Sequence, residues 1–174
     1  MSECKICEAI KEKEELIYED KDVIAILSTE PASAGHIILS PKKHYPIIEQ
    51  IPDYEFGHLF HIANKLSIAV FETVGCQGTN IIIENGVAAG QTVPHVTIHI
   101  IPRNENDGLN FQWNPKTLSE EEMSTVELKV REEAKSIGGF EKEKKKEAIK
   151  LEKKKEKISS EEENYLIKQL TRIP

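Results

Sequence analysis

The chain has 174 residues, 39% hydrophobic and 30% charged, with a formal net charge of −7 and three cysteines. That is room for one core with an appendage and too few cysteines for a disulfide scaffold, so a reducing, cytoplasmic setting is expected. The charge is uneven: residues 1–115 hold 8 Lys/Arg against 16 Asp/Glu, and residues 116–174 hold 15 against 14, so the front part suits neither a nucleic-acid backbone nor any phosphate not held by local donors.

In chain order, Cys4 to Lys13 reads as a short helix with Cys4 and Cys7 on one side. Strands follow at Leu16–Glu19 and Val23–Leu27, and Pro31-Ala-Ser-Ala-Gly35 breaks the chain before a third, His36–Ser40. From Pro52 to Val74, Phe56, Leu59, Phe60, Ala63, Leu66, Ala69 and Val70 recur at helical spacing, with Asp53 as the expected cap and Gly75 and Gly78 as the stop. Asn80–Glu84 resumes as a strand, and a loop from Asn85 to Gly90 leads to a β-branched run, His95–Ile101, bracketed by Pro94 and Pro102. Leu118–Ile137 reads as a helix capped by Ser119 and stopped by Gly138-Gly139. The Lys/Glu tract 141–157 reads as a solvated helix or tether, and Ser159-Ser160-Glu161 starts a last short helix. No apolar run approaches the ~20 residues of a membrane-spanning helix and no signal segment opens the chain, so a soluble protein is expected.

The chemistry concentrates in 95–101. Side chains alternate along a strand, so His95, Thr97 and His99 share one face while Val96, Ile98 and Ile100 share the other. As a zinc-binding helix the segment fares poorly, because Val96 stands where the Glu of that motif belongs. Upstream, Gly86 to Thr92 is rich in Gly and Ala, which suits either plain turn chemistry or backbone N–H groups wrapped around phosphate oxygens. His58 and His61 read as surface or dimer-edge residues, Cys76 as a small buried side chain at a helix end, and Trp113 as a packing residue.

Cys4-x-x-Cys7, Gly35-His36 followed by Pro41-Lys42-Lys43-His44, and Ala89-Gly90-Gln91-Thr92-Val93 leading into His95-x-x-x-His99-x-x-Pro102-Arg103 fall in one order. That order resembles the histidine-triad (HIT) superfamily of nucleotide hydrolases and transferases, across residues 3–113. The resemblance implies an α+β fold, an antiparallel sheet of about five strands with a long helix, and a homodimer formed by paired sheets. It sets a nucleotide-binding domain over 1–115 and a helical, Lys/Glu-rich extension over 116–174. In such proteins the middle histidine of His-x-His-x-His attacks the α-phosphorus and carries a nucleotidyl group; that position is Thr97 here.

A threonine hydroxyl is scarcely ionised at neutral pH, whereas imidazole, with a reference pKa of about 6.5, is a competent nucleophile. Three readings stay open: a binding protein that keeps its pocket, an enzyme that directs water at phosphorus, or an enzyme that recruits His99 or His36. If active, the implied substrates are phosphoramidates or dinucleoside polyphosphates. A third class is a scaffold whose extension recruits a protein partner. The resemblance also implies contacts from Gly90, Gln91, Thr92, Asn85 and His99 to the α-phosphate, from His36 as a supporting histidine, and from Ser28 at the ribose position. Finally, it implies a structural zinc held by Cys4, Cys7, His44 and His95; taken alone, Cys-x-x-Cys fits a surface or redox pair equally.

Overall fold

The computed structural model describes residues 4–139. The tract 141–157 and the expected last helix lie outside the described residues. The elements run α1 (Lys5–Glu12), β1 (Leu16–Glu19), β2 (Val23–Leu27), β3 (Ile37–Pro41), α2 (Asp53–Val74), β4 (Gly78–Ile83), β5 (Ile98–Arg103) and α3 (Glu120–Ala134). The five strands form one antiparallel sheet in the order β1-β2-β3-β5-β4. This is the expected α+β fold.

Local chemistry sets the turns. Asp20 Oδ1 accepts from the N–H groups of Asp22 and Val23, both at 2.8 Å, and so closes the β1–β2 hairpin. β2 then pairs β3 without a break from Val23↔Pro41 to Leu27↔Ile37. Gly35 makes a close approach that a side chain would spoil: at φ +88°, a Cβ there would sit 2.9 Å from Val74 Cγ2. The chain therefore enters β3 against the end of α2 and delivers His36 at the strand's start.

α2 opens with Pro52, not Asp53, as its N-cap. Proline's fixed φ prepares the entry, and Asp53 and Glu55 in the first turn complement the helix dipole. Gly75, at φ 69°, stops it. Gly78 is already the first residue of β4, so it belongs to the strand, not to the helix stop. The buried face is Leu59, Ile62, Ala63, Leu66, Ser67 and Val70. Phe60 and Ala69 turn out to the exposed side, because at 100° per residue each falls near the edge of that arc.

The core joins this face to Ala25, Ile37, Leu39, Ile98 and Ile100 of the sheet and to Val96 just before β5. Full burial of a side chain such as Leu59 contributes about 1.5–3 kcal/mol. The ladder fixes what faces away from α2. Ile37↔Ile100 and Leu39↔Ile98 point into the core, so Ile38↔His99, one residue out of phase, points to the opposite side.

Beyond the sheet, Trp113 is 84% exposed and is not among the residues lining the cleft, while Phe111 stands 5.1 Å from the Arg103 guanidinium. α3 has its expected capping box between Ser119 and Glu122 but ends at Ala134, short of the glycines. There the N–H groups of Lys135, Ser136 and Ile137 tighten onto carbonyls three residues back. No helix among the described residues is long and apolar enough to cross a membrane.

Candidate functional site

β5 begins at Ile98, three residues later than the β-branched run suggests. Pro94 has no N–H to offer a ladder, and the His95 N–H turns back to the Val93 carbonyl at 2.8 Å. Val96 is still held extended: its N–H donates to Tyr45 O at 2.7 Å and its carbonyl accepts from Ser40 Oγ at 2.9 Å. The three polar side chains of the run therefore part company. His95 is fully buried on one side, and Thr97 and His99 line a cleft on the other.

His95 meets Cys4, Cys7 and His44. The four donor atoms lie within 4.8 Å of one another. Cys4 Sγ and Cys7 Sγ stand 3.6 and 3.5 Å from His95 Nδ1, and Cys7 Sγ stands 3.4 Å from His44 Nδ1. A tetrahedral ion with bonds of about 2.3 Å to sulfur and 2.0–2.1 Å to nitrogen has an S···N edge of about 3.6 Å, so these spacings fit one. His95 Nε2 lies 2.9 Å from the Pro41 carbonyl. Only an N–H can make that bond, which leaves the Nδ1 lone pair aimed at the sulfurs. Burial lowers the His95 pKa and keeps the ring neutral, with the Pro41 bond opposing; burial likewise pushes the Cys7 thiol up. These residues could hold a metal ion.

The cleft, about 210 Å³, is lined by Ser28, Glu30, His36, Glu84, Thr92 and His99, among others. At its floor runs a chain of hydrogen bonds whose direction can be worked out. The Ala32 N–H donates to His36 Nδ1 at 3.1 Å, so the neutral ring carries its proton on Nε2. That Nε2–H, 3.0 Å from His99 Nδ1, donates to it, which places the His99 proton on Nε2 in turn. His99 Nε2 lies 3.3 Å from Thr97 Oγ1. The imidazole is thus the donor and the threonine oxygen the acceptor, leaving the hydroxyl proton free to point into the cleft. Burial, with His99 beside it, brings the His36 pKa down to about 4; burial also lowers that of His99, with Glu84 opposing. Both rings are neutral at pH 7, and neither offers Thr97 a base.

The remaining expected residues divide. Ser28, Thr92, Gln91 and His99 line the cleft, but the Gln91 amide is consumed in holding its own loop: Oε1 accepts from the Gly86 N–H at 2.8 Å, and Nε2 donates to Pro46 O and Val93 O. Gly90 stands beside the cleft, at φ +101°. Asn85 faces elsewhere: its Oδ1 accepts from the Ile48 N–H at 3.0 Å and its Nδ2 donates to Glu49, so the amide pins the turn at 48–50. The neighbour that does enter the cleft is Glu84. Strand parity could have found it, since Ile82 pairs His99, and Glu84 continues β4 by two residues just as Thr97 precedes His99 by two. Among the other unassigned side chains, His58 Nε2 is 2.7 Å from Asp20 and ties α2 to the β1–β2 turn. His61 is exposed and Cys76 is buried.

The HIT domain family model matches residues 10–106. The chain belongs to the HIT family. It is 39% identical over 107 residues to an uncharacterised HIT-like protein of Methanocaldococcus jannaschii, covering 60% of this chain and 82% of that one. It is also similar to adenylylsulfatase HINT3 of Arabidopsis thaliana, at 35% identity over 119 residues, which cover 67% of this chain but only 59% of that protein. Among solved structures it resembles a zinc-bound histidine triad family protein from Mycobacterium smegmatis, with a TM-score of 0.58, 28% identity, and coverage of 75% of this chain and 96% of the other. The matched segment spans β1 to β5 and α2, and it contains His44, His95 and the cleft residues from Ser28 to His99, whereas Cys4 and Cys7 precede it.

Proposed function

We propose that this HIT protein binds a nucleoside mono- or polyphosphate by its α-phosphate in the cleft over β5, without forming a covalent nucleotidyl intermediate. One observation carries the reading: His99 donates to Thr97, so the residue at the nucleophile position has no base and presents only a donor. With the His99 Nε2–H bonded to Thr97 Oγ1, the Thr97 O–H is the group left to donate to a phosphate oxygen, and a charge-assisted bond of that kind is stronger than a neutral one. The Thr92 side chain supplies a further hydroxyl in the cleft, and Ser28 lines the same cleft for the sugar; the N–H groups of Ala89, Gly90 and Gln91 are spent inside their own turn. Recruitment of His36 or His99 as the nucleophile is disfavoured, because both nitrogens of His36 and the Nδ1 of His99 are already engaged. Relatives such as adenylylsulfatase HINT3 support hydrolysis by directed water as the second reading.

Zinc is the ion we assign to Cys4, Cys7, His44 and His95. Two thiolates and two imidazoles in a closed set suit it, and it would supply structure, pinning the start of α1 to the segments after β3 and before β5, with no open position for chemistry. A homodimer fits the edge position of β4 and the exposed Phe60, Ile68, Phe71 and Ile81. The domain boundary near 115, a cytoplasmic setting, and a protein partner for 116–174 complete the proposal.

The test is incubation with an AMP-bearing phosphoramidate, following AMP release and protein mass together, for wild type and Thr97→His. Wild type should bind AMP, gain no mass and release AMP slowly or not at all, whereas Thr97→His should gain an adenylyl group. Rapid turnover by wild type would overturn the binding reading in favour of the hydrolase.

A further inference from the structure

The cleft carries a charge pattern that its proposed role does not require. Four of its lining residues are ionisable: Glu30, Glu84, His36 and His99. No Lys or Arg is among them. The carboxylates are therefore opposed only by two imidazoles, and these are neutral at pH 7 for the reasons of burial given above.

Glu84 is the carboxylate beside His99 and Gly90. A Cβ built on Gly90 would lie 3.2 Å from both the Glu84 carboxyl carbon and Oε1, so the carboxylate sits directly against the turn that leads to Thr92 in the cleft. It is also near enough to His99 to raise that ring's pKa against burial. Among the described residues it makes no hydrogen bond or ion pair that would neutralise it. A carboxylate so placed adds a repulsion that grows with each negative charge on the ligand's phosphorus group.

We infer that Glu84 is a specificity residue: it makes the cleft favour phosphorus groups that carry one negative charge over the dianionic phosphate monoester. The favoured class is the α-phosphate of a phosphodiester, a phosphoanhydride or a phosphoramidate. The disfavoured one is a free nucleoside monophosphate, whose second ionisation, near pH 6 for a phosphate monoester, leaves it almost fully dianionic at pH 7.5. Hydrolysis of a monoanionic ligand would then yield a product that the cleft repels, and release would follow. This inference rests on the proposal that the cleft binds nucleotides, and it adds which charge state is bound.

Affinity for AMP and for its methyl ester, adenosine 5′-O-methylphosphate, measured by calorimetry at pH 7.5 without divalent cations, separates the possibilities. Wild type should bind the methyl ester about tenfold more tightly, the Coulomb cost of one further unit charge roughly 6 Å away at an effective dielectric constant of about 40. In Glu84→Gln that preference should shrink to within about twofold, by a gain in AMP affinity, while Glu84→Asp, which keeps the charge, should retain it. An unchanged preference in Glu84→Gln, or equal affinities in wild type, would overturn the inference and leave nucleotide binding standing. Failure of every variant to bind either compound would overturn the nucleotide reading and the inference with it. Thermal unfolding of each variant identifies any that lose affinity by failing to fold.

Discussion

The cluster around His95 and the cleft around His99 sit four residues apart on one stretch of chain, and they are finished in opposite ways. At His95 every donor converges: Nδ1 faces two sulfurs, Nε2 is locked to Pro41, and the ring is fully buried. At His99 the donors run in a line, from Ala32 through His36 and His99 to Thr97, and the last proton is left pointing into open space. A closed set of this kind suits a permanent structural ion, and an open-ended line suits an exchangeable ligand. Pro94 and the late start of β5 make the difference, because the residues before Ile98 leave the regular ladder and His95 is free to turn away from the face that Thr97 and His99 share.

Breaking the closed set should have the largest effect. Cys4→Ser, or treatment with a strong chelator, should strip zinc from the protein and lower Tm by about 10 °C, as expected for a loss of roughly 3–5 kcal/mol from a chain of this size. Metal analysis and scanning calorimetry on the same samples check it. Zinc-free wild type with an unchanged Tm would remove the contrast, because the cluster would then be a set of packed side chains and nothing more.

The cleft should respond to acid instead. The folded-state pKa of His36, about 4, lies below the ordinary value of about 6.5, so the unfolded chain takes up the proton first. Its contribution is therefore complete above about pH 6.5 and declines as pH falls toward 4, by at most about 3 kcal/mol. Denaturant unfolding of zinc-loaded wild type and His36→Asn between pH 7.5 and 4.5 should show a steeper acid loss in wild type. Parallel curves would mean that His36 is already protonated in the folded state, and the direction assigned to the hydrogen-bond chain would be wrong.

How much of this was legible in the sequence follows from the same local and long-range distinction. β1, β2 and the Ser119 cap were readable because their signals are local: alternation, turn residues and a capping box. The proposed ligand set Cys4, Cys7, His44 and His95 is accessible only through family resemblance, since no periodicity links three separate segments. Glu84 was missed, and Asn85 chosen in its place, because the choice depends on which residue of β4 pairs with His99. A register error of one residue exchanges the two faces of a strand. Thr97 was visible as a departure, but its role as acceptor was not, because that follows from the backbone N–H of Ala32, a residue far away in sequence.

The smallest effects expected come from one substitution made in two places. Gly90 has a φ of +101° and would set a Cβ 3.2 Å from the Glu84 carboxylate, whereas Gly57, inside α2, has nothing within 4 Å of where a Cβ would go. Gly57→Ala should stabilise the protein by about 0.5–1 kcal/mol, since alanine loses less backbone freedom than glycine on entering a helix. Gly90→Ala should destabilise by about 1–2 kcal/mol, because the left-handed conformation strains a residue that carries a Cβ. Adding Glu84→Ala to Gly90→Ala removes the side-chain contact but not the strain, so less than half of the loss should return. Full recovery in the double variant would show that contact with Glu84 sets the cost, and that the loop beside the cleft is free to relax where the Cys/His cluster is not.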